Sequence, residues 1–340
     1  MTQLRHPIGI YSEVNVNRLS DGRLEVDARI LVEPRIENAL TALALDGSWS
    51  MELNYGAGGR PFPKPKNVME PIARQMAGYL APFSCNGNTE VMYWACGNIE
   101  GKGVEPIGAF SQQSAETMSV RGPREWGRQT HCLPLLEHLV QKVGSAPWSI
   151  AVILTDGAFK DLEEVKAFSW RLAEDIAAGR RNIIKFVAVG IPDTMNPASN
   201  ELMVSSLSDL DDLFDSCRRC PDERIDPGTG KCRKCGWERL QTPESPVLPV
   251  EPIDLWDHKI APELTSLVQI FAEVTGRHLS VMPHGEIRDT NGNVVQRYPN
   301  DSSPRGVPAL VEFVLPSGST SFTLVTDDGE SYTQDISEVL

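Results

Sequence analysis

The chain has 340 residues, 41% hydrophobic and 23% charged, with a formal net charge of -14 and a pI near 4.9. That length accommodates two domains, or one large domain with appendages. The acidic balance opposes general binding to nucleic acid or a membrane surface, and no run of about 18 apolar residues offers a transmembrane helix. The N-terminal MTQLRHPIGIYSEVNVN lacks the apolar core and cleavage site of a signal peptide, so the cytoplasm is the expected location.

Residues 8–33 alternate apolar and polar positions around Ser20-Asp21-Gly22, which predicts a hairpin leading into the main domain. Four continuous apolar runs of strand length follow at Ala39–Leu45, Glu90–Ala95, Trp148–Leu154 and Ile183–Val189, with Val104–Phe110 a weaker fifth. Such runs mark strands buried on both faces. Helical spacing separates them. Asn67–Leu80 sets Val68, Ile72, Met76 and Leu80 at steps of four, Leu133–Val143 and Asp161–Ala178 carry similar stripes, and Asn200–Phe214 is expected to supply the last helix.

This alternation predicts an α/β fold with a doubly wound, mainly parallel, Rossmann-like sheet over residues 1–216, hairpin included. A short cysteine-rich segment spans 217–240, and a proline-rich linker spans 241–257. Residues 258–340 read as a small α+β unit, with a helix over 262–275 and turns at Asn291-Gly292, Ser317-Gly318 and Asp328-Gly329. The histidines His258, His278 and His284 are too scattered for a metal signature.

Asp46 ends the first buried run in Asp46-Gly47-Ser48-Trp49-Ser50, where one carboxylate and two hydroxyls leave a strand end together. The carboxyl ends of such strands form the ligand crevice of open α/β sheets. Asp156, in ILTDGAF, ends another run at the same edge, and Thr130 precedes the helix beginning near Leu133. Oxygen ligands of this kind suit a hard cation such as Mg2+. For each residue taken singly, a strand-end or helix cap is the plainer role.

Asp46, Ser48, Ser50, Thr130 and Asp156 match in order the metal-ion-dependent adhesion site of von Willebrand factor A domains, and the resemblance covers about residues 36–216. It is similar to the intracellular bacterial type associated with tellurite resistance. The resemblance implies a Mg2+ ion (or Mn2+ or Ca2+) held by Ser48, Ser50 and Thr130 directly, and by Asp46 and Asp156 directly or through water. It also implies an open coordination position for an Asp or Glu of a protein partner. The sequence departs from the family at Trp49, where glycine is usual, and at His131, where aspartate is frequent.

Enzyme readings of these residues fit less well. A haloacid-dehalogenase phosphatase needs an aspartate where Ser48 stands, and neither serine has the glycines of a nucleophile elbow. Gly228-Thr229-Gly230-Lys231 lacks the remainder of a P-loop. Cys132, beside His131, reads as a buried structural cysteine.

Cys217-x2-Cys220-x11-Cys232-x2-Cys235 has the spacing of a four-thiolate Zn2+ site and resembles a small zinc ribbon. Four protein ligands leave no open position, so the site is expected to be structural. Arg218, Arg219, Arg224, Lys231, Arg233, Lys234 and Arg239 surround it.

The sequence therefore predicts a non-enzymatic, metal-dependent protein-interaction adaptor, with analogy to bacterial stress-response or defence assemblies. The long segments Asn54–Lys66 and Gly97–Gln129 are its expected partner surface. The alternatives are a metal-dependent phosphoester hydrolase using Asp46 and Asp156, and a nucleic-acid-binding adaptor acting through the zinc ribbon.

Overall fold

The computed structural model describes residues 2–4, 10–30, 39–57, 65–192, 197–226, 228–243, 252–260, 280–300, 303, 306–308 and 310–339. The chain divides into two units, one comprising residues 1–37, 245–249 and 272–340, the other 38–244 and 250–271.

The first unit begins with β1 (Thr2–Gln3), β2 (Tyr11–Arg18) and β3 (Leu24–Ile30). The second contributes β4 (Ala39–Asp46), β5 (Thr89–Cys96), β6 (Gly103–Phe110), β7 (Trp148–Thr155) and β8 (Ile183–Gly190). It continues with β9 (Ser216–Cys217), β10 (Cys220–Asp226), β11 (Lys231–Cys232) and β12 (Trp256–Ile260). Its helices are α1 (Met69–Leu80), the short α2 (Gln112–Ala115), α3 (Leu133–Lys142), α4 (Leu162–Ala177) and α5 (Pro197–Asp211). The chain returns to the first unit with β13 (Ser280–Met282), β14 (Gly285–Asp289), β15 (Val294–Tyr298), β16 (Val307–Pro308), β17 (Leu310–Leu315), β18 (Ser321–Thr326) and β19 (Ser331–Asp335).

Strand outweighs helix, 39% against 27%, and four of the five sheets pair only antiparallel among the described residues. The expected doubly wound, mainly parallel α/β fold is thereby corrected to a mostly β chain. Parallel pairing is confined to one sheet of order β12-β8-β7-β4-β5-β6, and the edge strand β6 runs antiparallel there. The physical reason is one of visibility. A strand buried on both faces is a continuous apolar run, whereas the short strands of two-faced antiparallel sheets carry only brief alternation.

The hairpin also belongs elsewhere than expected. Its strand β3 pairs in full register with β17, from Leu24↔Leu315 to Arg29↔Leu310. In that unit the ring of Phe322 lies edge-on to both Tyr11 and Phe313, at 5.2 and 5.0 Å between centroids. The expected helix over 262–275 lies outside the described residues, and the described residues of 280–339 are strands and turns apart from one short 3-10 segment, Ser337–Val339.

The expected linker ends in structure. Ile253 donates its N–H to the carbonyl of Leu240 at 2.9 Å, and Trp256–Ile260 add to the central sheet as β12, parallel to β8. Lys185 secures this edge. It is buried on β8, and its ammonium donates to the Trp256 carbonyl at 2.8 Å and to the Asp254 carboxylate at 3.0 Å. The Trp256 indole donates to Ser169 Oγ of α4 at 2.9 Å and lies 4.9 Å from the Phe186 ring. The tips of Ile260 and Met203 close over Gly190, 2.7 and 3.0 Å from where a Cβ would stand.

His258 on β12 faces Asp211 of α5, with Nδ1 3.2 Å from the carboxylate and Nε2 3.4 Å from Ser208 Oγ. The nearby Asp211 carboxylate is the largest influence and raises the imidazole pKa above its ordinary value; burial and Lys259 oppose it, while Asp257 adds to it. A raised pKa stabilises the fold below the unfolded value of about 6.5 and ceases to do so as pH rises through the folded value. His258→Asn should therefore cost about 0.5–1 kcal/mol at pH 5.5 and nearly nothing at pH 9. Denaturant midpoints at the two pH values measure this, and an equal loss at both would show that the charge plays no part.

Candidate metal centre

The four-cysteine cluster is built by three very short strands. Cys217 on β9 pairs with Cys220 on β10, and Ile225 on β10 pairs with Cys232 on β11. The second knuckle closes through Gly236, whose φ of +71° is left-handed and whose N–H bonds to the Cys232 carbonyl at 2.9 Å. All four sulfurs lie within 4.8 Å of one another, and Cys217 Sγ is 3.5 Å from Cys235 Sγ. A tetrahedral ion with bonds of about 2.3 Å sets its sulfurs about 3.8 Å apart, so the cluster has the size of a metal cage. None of the seven cysteines is in a disulfide.

The thiols are tuned unequally. N–H donation from Cys235 and then Lys234 brings Cys232 down to about 7, against the effect of burial. Hydrogen bonding with Cys235, then burial, pushes Cys220 up to about 12, and burial raises Cys217. Four adjacent thiols do not all ionise unaided, because each thiolate raises the cost of the next. A divalent cation removes that cost, and the donor set of four sulfurs selects a thiophilic ion. Among the described residues, the four cysteines could hold a metal ion.

The ribbon's own core is only Cys217, Ile225 and Cys232, with Cys220 and Trp237 packed against it. Its cations are largely neutralised within the protein. Arg218 reaches Glu174, Arg224 Asp212, Lys231 Glu238, Arg233 Asp226, Lys234 Glu223 and Arg239 Asp215. Of the seven basic residues singled out in the sequence, only Arg219 has no ion pair among these.

The other candidate residues meet at the carboxyl ends of β4 and β7, which are adjacent strands with Leu45 opposite Leu154. Asp46 is fully buried. One carboxylate oxygen accepts the Ser48 N–H at 2.7 Å and the other accepts the Thr155 hydroxyl at 2.7 Å. Burial raises its pKa, and these hydrogen bonds pull in the opposite sense. Ser48 Oγ is 3.0 Å from Ser50 Oγ, which donates to Asp156 Oδ1 at 2.9 Å. The hydroxyl of Thr130 faces Gly157, since a Cβ there would lie 3.1 Å from Thr130 Oγ1. Asp46, Ser48, Ser50 and Asp156 thus form two joined hydrogen-bonded arms, with Thr130 beside them.

Thr155 and Asp161 were missed in the sequence. Thr155 stands directly before Asp156 in LTDGAF, so its place at the strand end was readable. Asp161 accepts the N–H groups of Cys132 and Leu133, both at 2.8 Å, and so caps α3 from a distant loop. His131 lies 3.8 Å from Asp161 and 3.0 Å from Gln129. The Cys132 thiol is driven far above its ordinary pKa by burial, as suits a structural cysteine. Trp49, at 67% exposure, points into solvent with its N–H on the Gly127 carbonyl.

No helix among the described residues is long and apolar enough to cross a membrane. No family model matches the chain, and no curated protein matches it. Among solved structures it is similar to the pilus adhesin SpaC from Lactobacillus rhamnosus GG in its open conformation, at 10% identity and a TM-score of 0.41, over 96% of this chain and 47% of that one. A second form of SpaC gives 10% identity, a TM-score of 0.40 and coverage of 96% and 48%. Three N-terminal domains of the type V pili tip protein Mfa5 from Porphyromonas gingivalis give 13% identity and a TM-score of 0.23, over 46% of this chain and 28% of that one. The chain spans less than half the length of the SpaC structures.

These findings correct the expectations drawn from the von Willebrand factor A resemblance. No family model supports it, and strand outweighs helix with antiparallel pairing in most sheets among the described residues. Nothing supports Mg2+ at the strand-end network, where the serine hydroxyls bond to each other and to Asp156. Among the described residues only the four cysteines group three or more His, Cys or carboxylate ligands. The adhesion-site adaptor, its tellurite-resistance and stress-response setting, and the hydrolase alternative are all withdrawn.

Proposed function

We propose that this chain is a non-catalytic protein-binding chain in which Cys217, Cys220, Cys232 and Cys235 hold one Zn2+ as a structural centre. The observation that carries it is the convergence of four sulfurs within 4.8 Å in a segment with almost no apolar core of its own. Zinc fills such a site completely and supplies folding free energy rather than a reactive position. A non-catalytic reading is supported by the buried thiols, with Cys96 pushed up to about 12 and Cys132 raised by burial as well, which disarms both as nucleophiles. Nucleic acid is disfavoured as a partner because the ribbon's cations already face carboxylates.

Metal analysis of protein purified under reducing conditions tests the centre. One zinc per chain is expected, removable by a strong chelator and restored by Zn2+ alone; a chain that stays zinc-free with excess Zn2+ overturns the reading.

The binding surface we assign is the rim carrying Trp49 at 67%, Ile99 at 61% and Leu53 at 47% exposure. Trp49 and Ile99 flank Gly127-Arg128, because the Trp49 N–H bonds to the Gly127 carbonyl and the Arg128 N–H to the Ile99 carbonyl. Exposed aromatics of this kind anchor protein interfaces. Trp49→Ala should leave unfolding free energy within about 0.5 kcal/mol while weakening partner capture at least about tenfold. Capture unchanged by Trp49→Ala would move the interface elsewhere.

A further inference from the structure

Between the cysteine cluster and the edge of the central sheet runs a continuous set of contacts. On the ribbon side, Trp237 packs against the cysteine core and meets Trp170 of α4 edge-on, with centroids 5.7 Å apart. Trp170 is buried, lies 4.9 Å from Phe214, and has the Arg218 guanidinium 5.4 Å from its ring centroid. Arg239 and Arg224 pair with Asp215 and Asp212, which flank Leu213-Phe214. Both faces of this contact are therefore fixed by the folded ribbon.

On the sheet side, Ser169 stands next to Trp170 in α4 and receives the Trp256 indole N–H of β12. The chain passes from the ribbon to β12 through the Leu240–Ile253 hydrogen bond and a bridge between Gln241 and Pro252. Successive residues of one helix are thus held by two tryptophans, one from the ribbon and one from the edge strand.

We propose that zinc binding to the four cysteines clamps β12 onto the central sheet, so that the metal controls whether this strand is seated or released. The inference rests on the zinc reading above and adds a consequence to it. Without the metal the ribbon has too little apolar surface to stay folded, so Trp237 leaves Trp170 and the Leu240–Ile253 bond loses its anchor. β12 is then held by its pairing with β8, by Lys185 and Trp256, and by His258 against Asp211 and Ser208 of α5. An edge strand opens locally at lower free energy than the buried strands beside it. Released, it leaves the outer edge of β8 unpaired, a template for another strand.

Amide hydrogen exchange on the full chain tests this, with zinc content measured on the same samples. The zinc-loaded protein should protect residues 257–260, and removal of zinc should speed their exchange at least about tenfold, with residues 150–154 of β7 unchanged. Trp237→Ala retains all four cysteines and should bind one zinc while showing the same loss at 257–260; Trp237→Phe, which keeps an edge contact, should restore protection. If the metal-free chain unfolds throughout, the zinc-loaded Trp237→Ala protein decides the matter. Zinc bound normally with unchanged exchange at 257–260 in Trp237→Ala overturns the clamp and leaves the metal centre standing. A chain that takes up no zinc overturns the metal centre, and the clamp with it.

Discussion

With zinc at the four cysteines as proposed, Cys232→Ser should strip the protein of its metal and lower its unfolding free energy by about 3 kcal/mol or more, because such a metal would supply most of the ribbon's folding energy. N–H groups of its own knuckle draw the Cys232 thiol down to about 7, toward the ionised form that a metal binds. It is also buried in the ribbon's small core beside Ile225. Serine is smaller and its hydroxyl is a poor ligand for a thiophilic ion. A zinc titration read by mass spectrometry under native conditions, together with thermal melts, measures both effects. Cys85→Ser, at an exposed cysteine remote in sequence from the cluster, should change neither. A Cys232→Ser protein that keeps its zinc and its melting temperature would remove the metal centre from the account.

The second large effect belongs to Asp46. Asp46→Ala removes the acceptor for both the Ser48 N–H and the Thr155 hydroxyl in a fully buried setting, and should cost about 2–4 kcal/mol. Asp46→Asn separates shape from charge. Its amide oxygen still accepts the Ser48 N–H, and the Thr155 hydroxyl can rotate to accept from the new NH2 group. Burial disfavours the carboxylate's charge, so the asparagine variant should match wild type or exceed it in denaturant stability. A loss in Asp46→Asn as large as that in Asp46→Ala would mean that the negative charge itself is required at this strand end.

The two sites were unequally legible. The cysteine cluster could be read from spacing because its four ligands sit within nineteen consecutive residues, Cys217 to Cys235, and knuckle geometry is local. The strand-end residues could be placed at one edge because each follows an apolar run. Their mutual bonding could not be read, since Ser50 and Asp156 are 106 residues apart and only the parallel register of β4 with β7 joins them. That register also spends the serine hydroxyls on each other and on a carboxylate.

By itself the sequence determined the buried strands Ala39–Asp46, Trp148–Thr155 and Ile183–Gly190, the helices between them, and the cysteine cage. Each announces itself through a periodicity or spacing confined to one short segment. Tertiary structure decided which strand pairs with which. The hairpin of residues 11–30 finds its partner in Leu310–Leu315, nearly three hundred residues on, and Trp256–Ile260, which straddles the end of the expected linker and the start of the expected C-terminal unit, becomes a sheet edge. Neither strand has a long apolar run, because each gains its place from specific neighbours: β17 for the hairpin, and β8, Lys185 and Ser169 for β12. Long-range pairing of this kind leaves little trace in local sequence, since the free energy that selects it is released only when the distant partner is in place.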